Sequence, residues 1–278
     1  MTLTKIQTLL LRENAKRTVS WVAFMIGILG MIVVEVWPFV QTPARMVALD
    51  IGQGDAILLQ DGKGFDCLID GGPDRTVLEE LGKFLPPWDR TLECMILTHD
   101  DRDHSIGLVE VAKRLHVETL YWNGVDDEQE LLSPLFAEVR DRRALKRGDH
   151  FSADAFEFSV LSPRQNEKED NDDSLVILVT HQTTRILLTG DATRKIEHAL
   201  LNDPQLSSGV DILKVGHHGS KTSTSHELLD AIKPTIAVIS VGRQNRYGHP
   251  HPQVMYYLTQ RGIRIRRTDL EGPIEIVL

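Results

Sequence analysis

Apolar residues along this chain fall into one long run and many short ones. From Trp21 to Val40 the sequence is almost wholly apolar, broken only by Glu35 and by Pro38 near its end. From Met46 onward, short apolar runs alternate with polar, glycine-bearing turns and with stretches of helical spacing. The short runs predict strands at 46–51, 56–59, 67–70, 94–97, 118–121, 155–161, 175–180, 184–188, 211–215, 236–240, 263–267 and 274–278. Helical spacing predicts helices at 76–84, 107–115, 127–140 and 192–201. Thr224-Ser225-His226-Glu227 has capping-box spacing and starts a helix that ends before Pro234. Pro252 opens a further helix, which Gly262 closes. Strands interspersed with helices, without repeat or linker, predict an α/β domain of two sheets with helices outside.

The long run has a different meaning. Twenty apolar residues at helical rise span roughly 30 Å, the hydrocarbon core of a bilayer. Trp21 and Trp37 sit where interfacial aromatics belong, and Lys16 and Arg17 lie just before the run with only Arg45 just after it. The expected organisation is a basic cytoplasmic N-terminus at 1–18, one transmembrane anchor at 19–40 and a globular domain at 46–278 outside the cytoplasm. The alternative is a cleaved signal peptide, for which Thr42-Pro43-Ala44 is a poor cleavage site and the run is long.

Composition narrows the class. The 278 residues are 41% hydrophobic, enough for a real core, and carry a formal net charge of −9. The first 44 residues are net basic, so the globular part is more acidic still. Such a domain is not an obvious nucleic-acid binder, although carboxylates gathered as metal ligands also produce an acidic total. The two cysteines, Cys67 and Cys94, have no C-x-x-C spacing, which excludes a cysteine-type zinc site. Both sit in apolar strand-like runs and read as buried thiols, or as a disulfide if those strands are neighbours in an oxidising compartment.

The chemistry concentrates where strands end. After Cys94-Met95-Ile96-Leu97 comes Thr98-His99-Asp100-Asp101-Arg102-Asp103-His104, which holds four good ligands: His99, Asp101, Asp103 and His104. Imidazole nitrogens and carboxylate oxygens together suit Zn²⁺, Mn²⁺ or Fe. Asp70 ends the strand before Gly71-Gly72, and Asp191 ends Leu187-Leu188-Thr189-Gly190. His217-His218 stands between Gly216 and Gly219, and His249 lies in Asn245-Arg246-Tyr247-Gly248-His249-Pro250. Flanking glycines let backbone approach a ligand closely. The histidines at 116, 150, 181, 198 and 226 fall in ordinary surroundings.

This ordered set resembles the metallo-β-lactamase superfamily, and within it the C-terminal domain of ComEC-type DNA-internalisation proteins. The residues that carry the likeness are Leu49 to Ala56, Leu68 to Gly72, His99 to His104 with Asp101 in place of a second histidine, Asn171 to Val176, Leu188 to Asp191, Lys214 to Ser220 and Asn245 to Pro250. The resemblance covers residues 46–278 and implies an αββα metallo-β-lactamase sandwich, preceded here by the one transmembrane helix. It implies one or two divalent ions, Mn²⁺ or Zn²⁺. His99 and Asp101 would hold the first, with Asn171 near the place where many relatives supply a third histidine. Asp103, His104 and His217 would hold the second, with Asp191 bridging. Asp70 would orient the loop. Asp103 would accept the proton of a metal-bound water, while His218 and His249 would contact phosphate oxygens or protonate the leaving group. Asp55 is a weaker pocket candidate.

The expected activity is therefore a membrane-anchored, extracytoplasmic, metal-dependent phosphodiesterase with DNA as substrate. The resemblance lacks the many-helix channel of ComEC-type proteins, so any uptake role needs a separately encoded channel protein. A cell-wall polymer phosphodiesterase and a metal-poor binding module in a membrane complex are the rival expectations.

Overall fold

The computed structural model of the chain describes residues 16–31, 42–125, 129–163 and 173–278. The chain divides into two units, residues 1–42 and 43–278. In the first, residues 16–31 form helix α1, whose Trp21, Phe24, Ile26 and Leu29 are all exposed. Among the described residues no helix is long and apolar enough to cross a membrane. The expected anchor at 19–40 is not shown: residues 19–31 of it are helical, without reaching a membrane-spanning length. Residues 32–40, its second half, lie outside the described residues, as do residues 1–15.

The second unit is built on fourteen strands: β1 (Arg45–Ala48), β2 (Ile57–Gln60), β3 (Asp66–Ile69), β4 (Thr91–Leu97), β5 (His116–Trp122), β6 (Asp141–Ala144), β7 (His150–Ala153), β8 (Phe156–Ser162), β9 (Val176–His181), β10 (Thr184–Leu188), β11 (Ile212–Lys214), β12 (Ile236–Ile239), β13 (Arg264–Arg267) and β14 (Ile274–Val277). They form two seven-stranded sheets, ordered β14-β1-β2-β3-β4-β5-β6 and β13-β12-β11-β10-β9-β8-β7. In each sheet one half is antiparallel, and the other, β3 to β6 or β10 to β13, is parallel. Between the sheets lies one apolar layer, in which Met46, Ile57, Cys67 and Ile96 meet Phe156, Phe158, Ile177 and Ile186. The outer face of the first sheet packs on helices α2 (Thr76–Leu81), α3 (Arg102–Ala112) and α4 (Gln129–Glu138). The second sheet is covered by α5 (Arg194–Leu200), α6 (His226–Ile232) and α7 (Pro252–Gln260). A short helix, α8 (Thr268–Glu271), precedes β14. This is the expected αββα sandwich. Strands buried on both faces explain the continuous apolar runs in the sequence.

Three local differences matter. Helix α3 starts at Arg102, not 107, with Asp101 as its N-cap, so Asp103 and His104 ride on a helical first turn rather than a free loop. Helix α6 is capped by Ser225, which accepts from Leu228 N, whereas the Thr224 hydroxyl accepts from Gly216 N. The cysteines are register partners across β3 and β4, with Cα atoms 4.4 Å apart, and are joined as a disulfide.

Close backbone contact sets the height of α3 on the sheet. Gly71 N donates to His104 O at 2.7 Å, and Gly107 N donates to Gly72 O at 2.9 Å. A Cβ on Gly107 would collide with Gly71 O, so only glycine allows this approach.

One charge is buried far from this edge. Asp66 is 4% exposed, and Gln60 Nε2 donates to its Oδ1 at 2.6 Å. Burial pushes its pKa up to about 7; Asp89, Glu93 and Asp61 push the same way, and Gln60 opposes them only in part. A pKa raised on folding contributes stability at low pH that is lost as pH rises through about 7. Asp66→Asn is therefore expected to raise Tm more at pH 8.5 than at pH 5, by about 2–4 °C for each kcal/mol recovered. Thermal melts at the two pH values check this, and an equal shift at both would contradict it.

Candidate metal centre

Strand ends on one edge of the two sheets bring the chemistry together. Asp70 follows β3, Thr98 and His99 follow β4, Asp191 follows β10, His217 and His218 follow β11, and Ser240 follows β12. Helix α3 adds Asp103 and His104, and the turn between β1 and β2 adds Asp55. Four groups have potential ligand atoms within 4.8 Å of one another: His99, His104, Asp191; Asp103, His104, His218; Asp55, Asp70, His104; and Asp55, Asp191, His218.

Hydrogen bonds fix which nitrogen of each ring faces the centre. Asp70 Oδ1 accepts from Thr98 N at 2.8 Å, and Asp70 Oδ2 accepts from Thr98 Oγ1 at 2.7 Å. The Thr98 hydroxyl has one proton and gives it to Asp70. Its contact with His99 Nδ1, at 2.8 Å, must therefore be accepted from the imidazole. His104 Nδ1 lies 2.8 Å from Asp70 Oδ2, which as a carboxylate only accepts. His218 Nδ1 faces the carbonyl of Ser240 at 3.2 Å and Asp55 Oδ1 at 3.3 Å. In all three rings Nδ1 is committed as donor, so Nε2 is the atom left free to coordinate a metal.

The Nε2 atoms of His99, His104 and His218 are buried without a hydrogen-bond partner, as is Asp191 Oδ1. They point at acids. His99 Nε2 is 3.5 Å from Asp101 Oδ2, and His104 Nε2 is 3.4 Å from Asp191 Oδ1. His218 Nε2 is 3.4 Å from Asp103 Oδ2 and 3.6 Å from Asp191 Oδ2. Buried polar atoms left unpaired in such numbers are unfavourable unless something binds them, and nitrogen and oxygen donors converging in this way fit a divalent cation.

Charge balance says the same. Asp55, Asp70 and Asp191 are each 3% exposed or less, and the fixed cation among them is Lys214, 1% exposed, whose Nζ lies 2.7 Å from Asp55 Oδ2. Burial alone would raise the pKa of Asp191, yet His218 and His104 hold it well below the ordinary carboxylate value. Burial likewise opposes charging of His104 and His218. Asp191 and Asp70 nonetheless hold the first well above its ordinary value, and Asp191 and Asp55 raise the second to about 9. The carboxylates thus demand positive charge at the Nε2 positions. His99 holds the Asp101 carboxyl below its ordinary range; burial works against the same shift in Asp103, where His218 and His104 prevail.

The predicted residues His99, Asp101, Asp103, His104 and Asp191 therefore gather. Asp70 braces the loop, as expected. Asn171 lies outside the described residues. His217 and His218 both adopt left-handed backbone, with φ of 46° and 52°, a strained state characteristic of functional sites. His218 turns into the centre. His217 is more exposed, its Nε2 3.6 Å from Asp191 Oδ2, and burial pushes its pKa down. His249 packs edge-on against His217, ring centroids 5.9 Å apart, and burial pushes its pKa down to about 4. Its Nδ1 is buried without a hydrogen-bond partner.

Sequence reasoning missed the roles of Thr98 and Lys214. The signal for Lys214 was present: a lysine inside the apolar run Ile212-Leu213-Lys214-Val215 needs a buried anion.

A family model described as the metallo-beta-lactamase superfamily matches residues 49–243. "ComE operon protein 3" of Bacillus subtilis is 33% identical, over 96% of this chain and 37% of its own length. "Competence protein ComA" of Neisseria gonorrhoeae is 32% identical, over 86% of this chain and 33% of its own length. The chain thus spans about a third of these curated relatives. The metallo-beta-lactamase fold protein YhfI of Bacillus subtilis superimposes with a TM-score of 0.59 over 84% of this chain and all of YhfI, at 14% identity, a likeness of fold alone.

Two substitutions test the bracing. Thr98→Val breaks the Asp70–Thr98–His99 chain and is expected to weaken Mn²⁺ or Zn²⁺ binding about 10–100-fold in calorimetric titration, with Thr98→Ser restoring it. Lys214→Met leaves the buried Asp55 without its fixed cation, with His218 as its remaining partner, and is expected to lower stability by about 3 kcal/mol. Adding Asp55→Asn should recover most of that loss in denaturant unfolding; no recovery would refute the pairing.

Proposed function

Because the chain belongs to the metallo-beta-lactamase superfamily, we propose that it is a metal-dependent phosphodiesterase that cuts DNA at a membrane. The observation that carries this reading is the convergence of the buried Nε2 atoms of His99, His104 and His218 on Asp103 and Asp191. We assign His99 and Asp101 to one ion, with Asn171 completing it, and Asp103 and His104 to the other, with Asp191 between them. The geometry supports His218 as the third ligand of the second ion, because its Nε2 is buried against Asp103; His217 stands beside it nearer solvent.

The donor set is rich in oxygen, which supports Mn²⁺ over Zn²⁺. Bound there, such ions lower the pKa of a coordinated water to about 7 and neutralise charge on a phosphate. The chain's own groups do the rest. Asp103, ionised and only partly buried, accepts a proton from the attacking water. Thr98, Asp70, Asp55 and Ser240 hold the imidazoles in one tautomer. His249, at the mouth, hydrogen-bonds a phosphate oxygen.

The competence name of one relative supports DNA as substrate and uptake as setting. The apolar helix α1 supports an anchored chain, and the disulfide between Cys67 and Cys94 supports an oxidising, extracytoplasmic compartment.

The test is incubation of the full chain with labelled single- and double-stranded DNA across a metal series. Cleavage should require added Mn²⁺ or Zn²⁺ and stop with chelator. Elemental analysis should find about one to two ions per chain. Asp191→Ala and Asp103→Ala should each lower the rate at least about 100-fold while leaving the melting transition in place. Full activity in both variants, or no bound metal after reconstitution, would overturn the assignment.

A further inference from the structure

The stretch Asn245–Pro250 holds more than His249. Tyr247 stacks on His249, ring centroids 5.7 Å apart and planes 24° from parallel, and His249 in turn packs against His217. A ladder of rings thus runs out of the metal centre and ends at Tyr247, which is 57% exposed. The Arg246 guanidinium lies 5.3 Å from the Tyr247 ring centroid, and its Nη2 donates to the Tyr247 hydroxyl at 3.2 Å. An exposed tyrosine paired with an exposed arginine presents two flat, sequence-tolerant surfaces beside a positive charge.

The loop that carries them is held in place. Asn245 Nδ2 donates to the carbonyls of Gly242 and His249, at 3.0 and 2.8 Å, and Asn245 Oδ1 accepts from His249 N at 2.9 Å. His251 N donates to Gly219 O at 2.8 Å, which ties this loop to the one bearing His217 and His218. The ring of Tyr247 is therefore fixed relative to the metal ligands without being buried itself.

Exposed cations stand on the loops around the mouth, beside the aspartates of the metal loop. Arg102 sits between Asp101 and Asp103, Lys221 follows Ser220, and Arg243 and Arg246 flank Asn245; all four are exposed. Arg102, Lys221 and Arg243 make no ion pair among the described residues. Each loop that bears a site histidine thus also bears a cation directed to solvent, within a chain of net charge −9.

We infer that Tyr247 and Arg246 form a nucleobase-stacking subsite for a single-stranded polynucleotide, with the neighbouring cations on its phosphates. The inference rests on the phosphodiesterase reading for its reaction but not for its binding. A flexible single strand can lay one base on Tyr247 while the adjoining phosphate reaches the metal centre; a paired duplex keeps its bases inside the stack.

The experiment is fluorescence anisotropy with the full chain in chelator and in Mn²⁺, using a 20-mer of thymidylate, an abasic 20-mer and a 20-base-pair duplex. Tyr247→Ala should weaken the thymidylate strand about tenfold and the abasic strand less than about twofold. Tyr247→Phe, which keeps the ring, should bind within about twofold of the unaltered chain. Arg246→Ala should weaken both single strands and flatten the salt dependence. Tyr247→Ala binding thymidylate normally, losing both strands equally, or an unaltered chain that binds no single strand would each overturn the subsite. Binding that follows the expected pattern without any cleavage would sink the phosphodiesterase reading and leave the subsite standing.

Discussion

Three carboxylates withdrawn from water at the rim of two sheets set the terms for everything around them. A buried carboxylate is stable only beside a positive charge or several donors. Asp70 is met by the backbone and hydroxyl of Thr98 and by His104. Asp55 is met by Lys214. Among the described residues Asp191 faces the imidazoles of His104, His217 and His218, with His99 also close. Asp70 is satisfied by the protein and acts as a brace, while Asp55 is held by Lys214 with its Oδ1 left buried and without a hydrogen-bond partner. The third is satisfied only as far as imidazoles carry charge, and it is the natural focus for a divalent cation. The division of labour among three chemically identical side chains follows from what each faces, not from the residue type.

Holding that arrangement requires backbone that would not otherwise persist. His217 and His218 are consecutive residues in the left-handed region, a conformation uncommon for non-glycine residues. The loop is pinned from several sides: His217 N donates to Gly190 O at 3.2 Å, Ser220 N to His217 O at 2.8 Å, and Ser223 Oγ to Ala192 O at 2.8 Å. The buried Glu197 carboxylate on α5 accepts from Thr224 N and Ser225 N, the latter at 2.8 Å. Helix α5 therefore anchors the histidine loop although none of its residues approaches the centre. The strain is paid for by contacts on the outer layer, and its result is that one imidazole turns inward while its neighbour turns toward the mouth.

That pair marks the limit of what the sequence discloses. Strand ends, glycine turns and the order of acids and histidines were legible because each is a local pattern with a local physical cause. The choice between His217 and His218 depends on two φ angles that no composition or spacing encodes. The start of α3 was misplaced because Asp101 can be read equally as a ligand in a loop or as an N-cap, and it is in fact both a cap residue and a neighbour of His99. Strand β6 escaped notice because all four of its residues are exposed, so no alternation marks it; it is held by backbone pairing to β5 and by surface contacts such as Thr119 Oγ1 to Asp141 Oδ2. Thr98 carries no signal in the sequence, since its role comes from one hydroxyl that donates to Asp70 and accepts from His99.

The acidic total looked like an argument against a nucleic-acid substrate, and its weakness is physical. Exposed charges are screened beyond about 8 Å at physiological ionic strength, so distant carboxylates contribute little field at the mouth of the site. What a phosphate meets there is the local set: the exposed Arg102, Lys221, Arg243 and Arg246, with the exposed Asp101 and part-exposed Asp103 beside Arg102. The carboxylates nearest the centre are the ones engaged with imidazoles, and divalent ions would reverse their sign locally. Net charge describes how the whole molecule behaves in solution. Recognition of an anion is decided within a screening length of the place where it docks, and there exposed cations stand beside carboxylates whose charge bound divalent ions would offset.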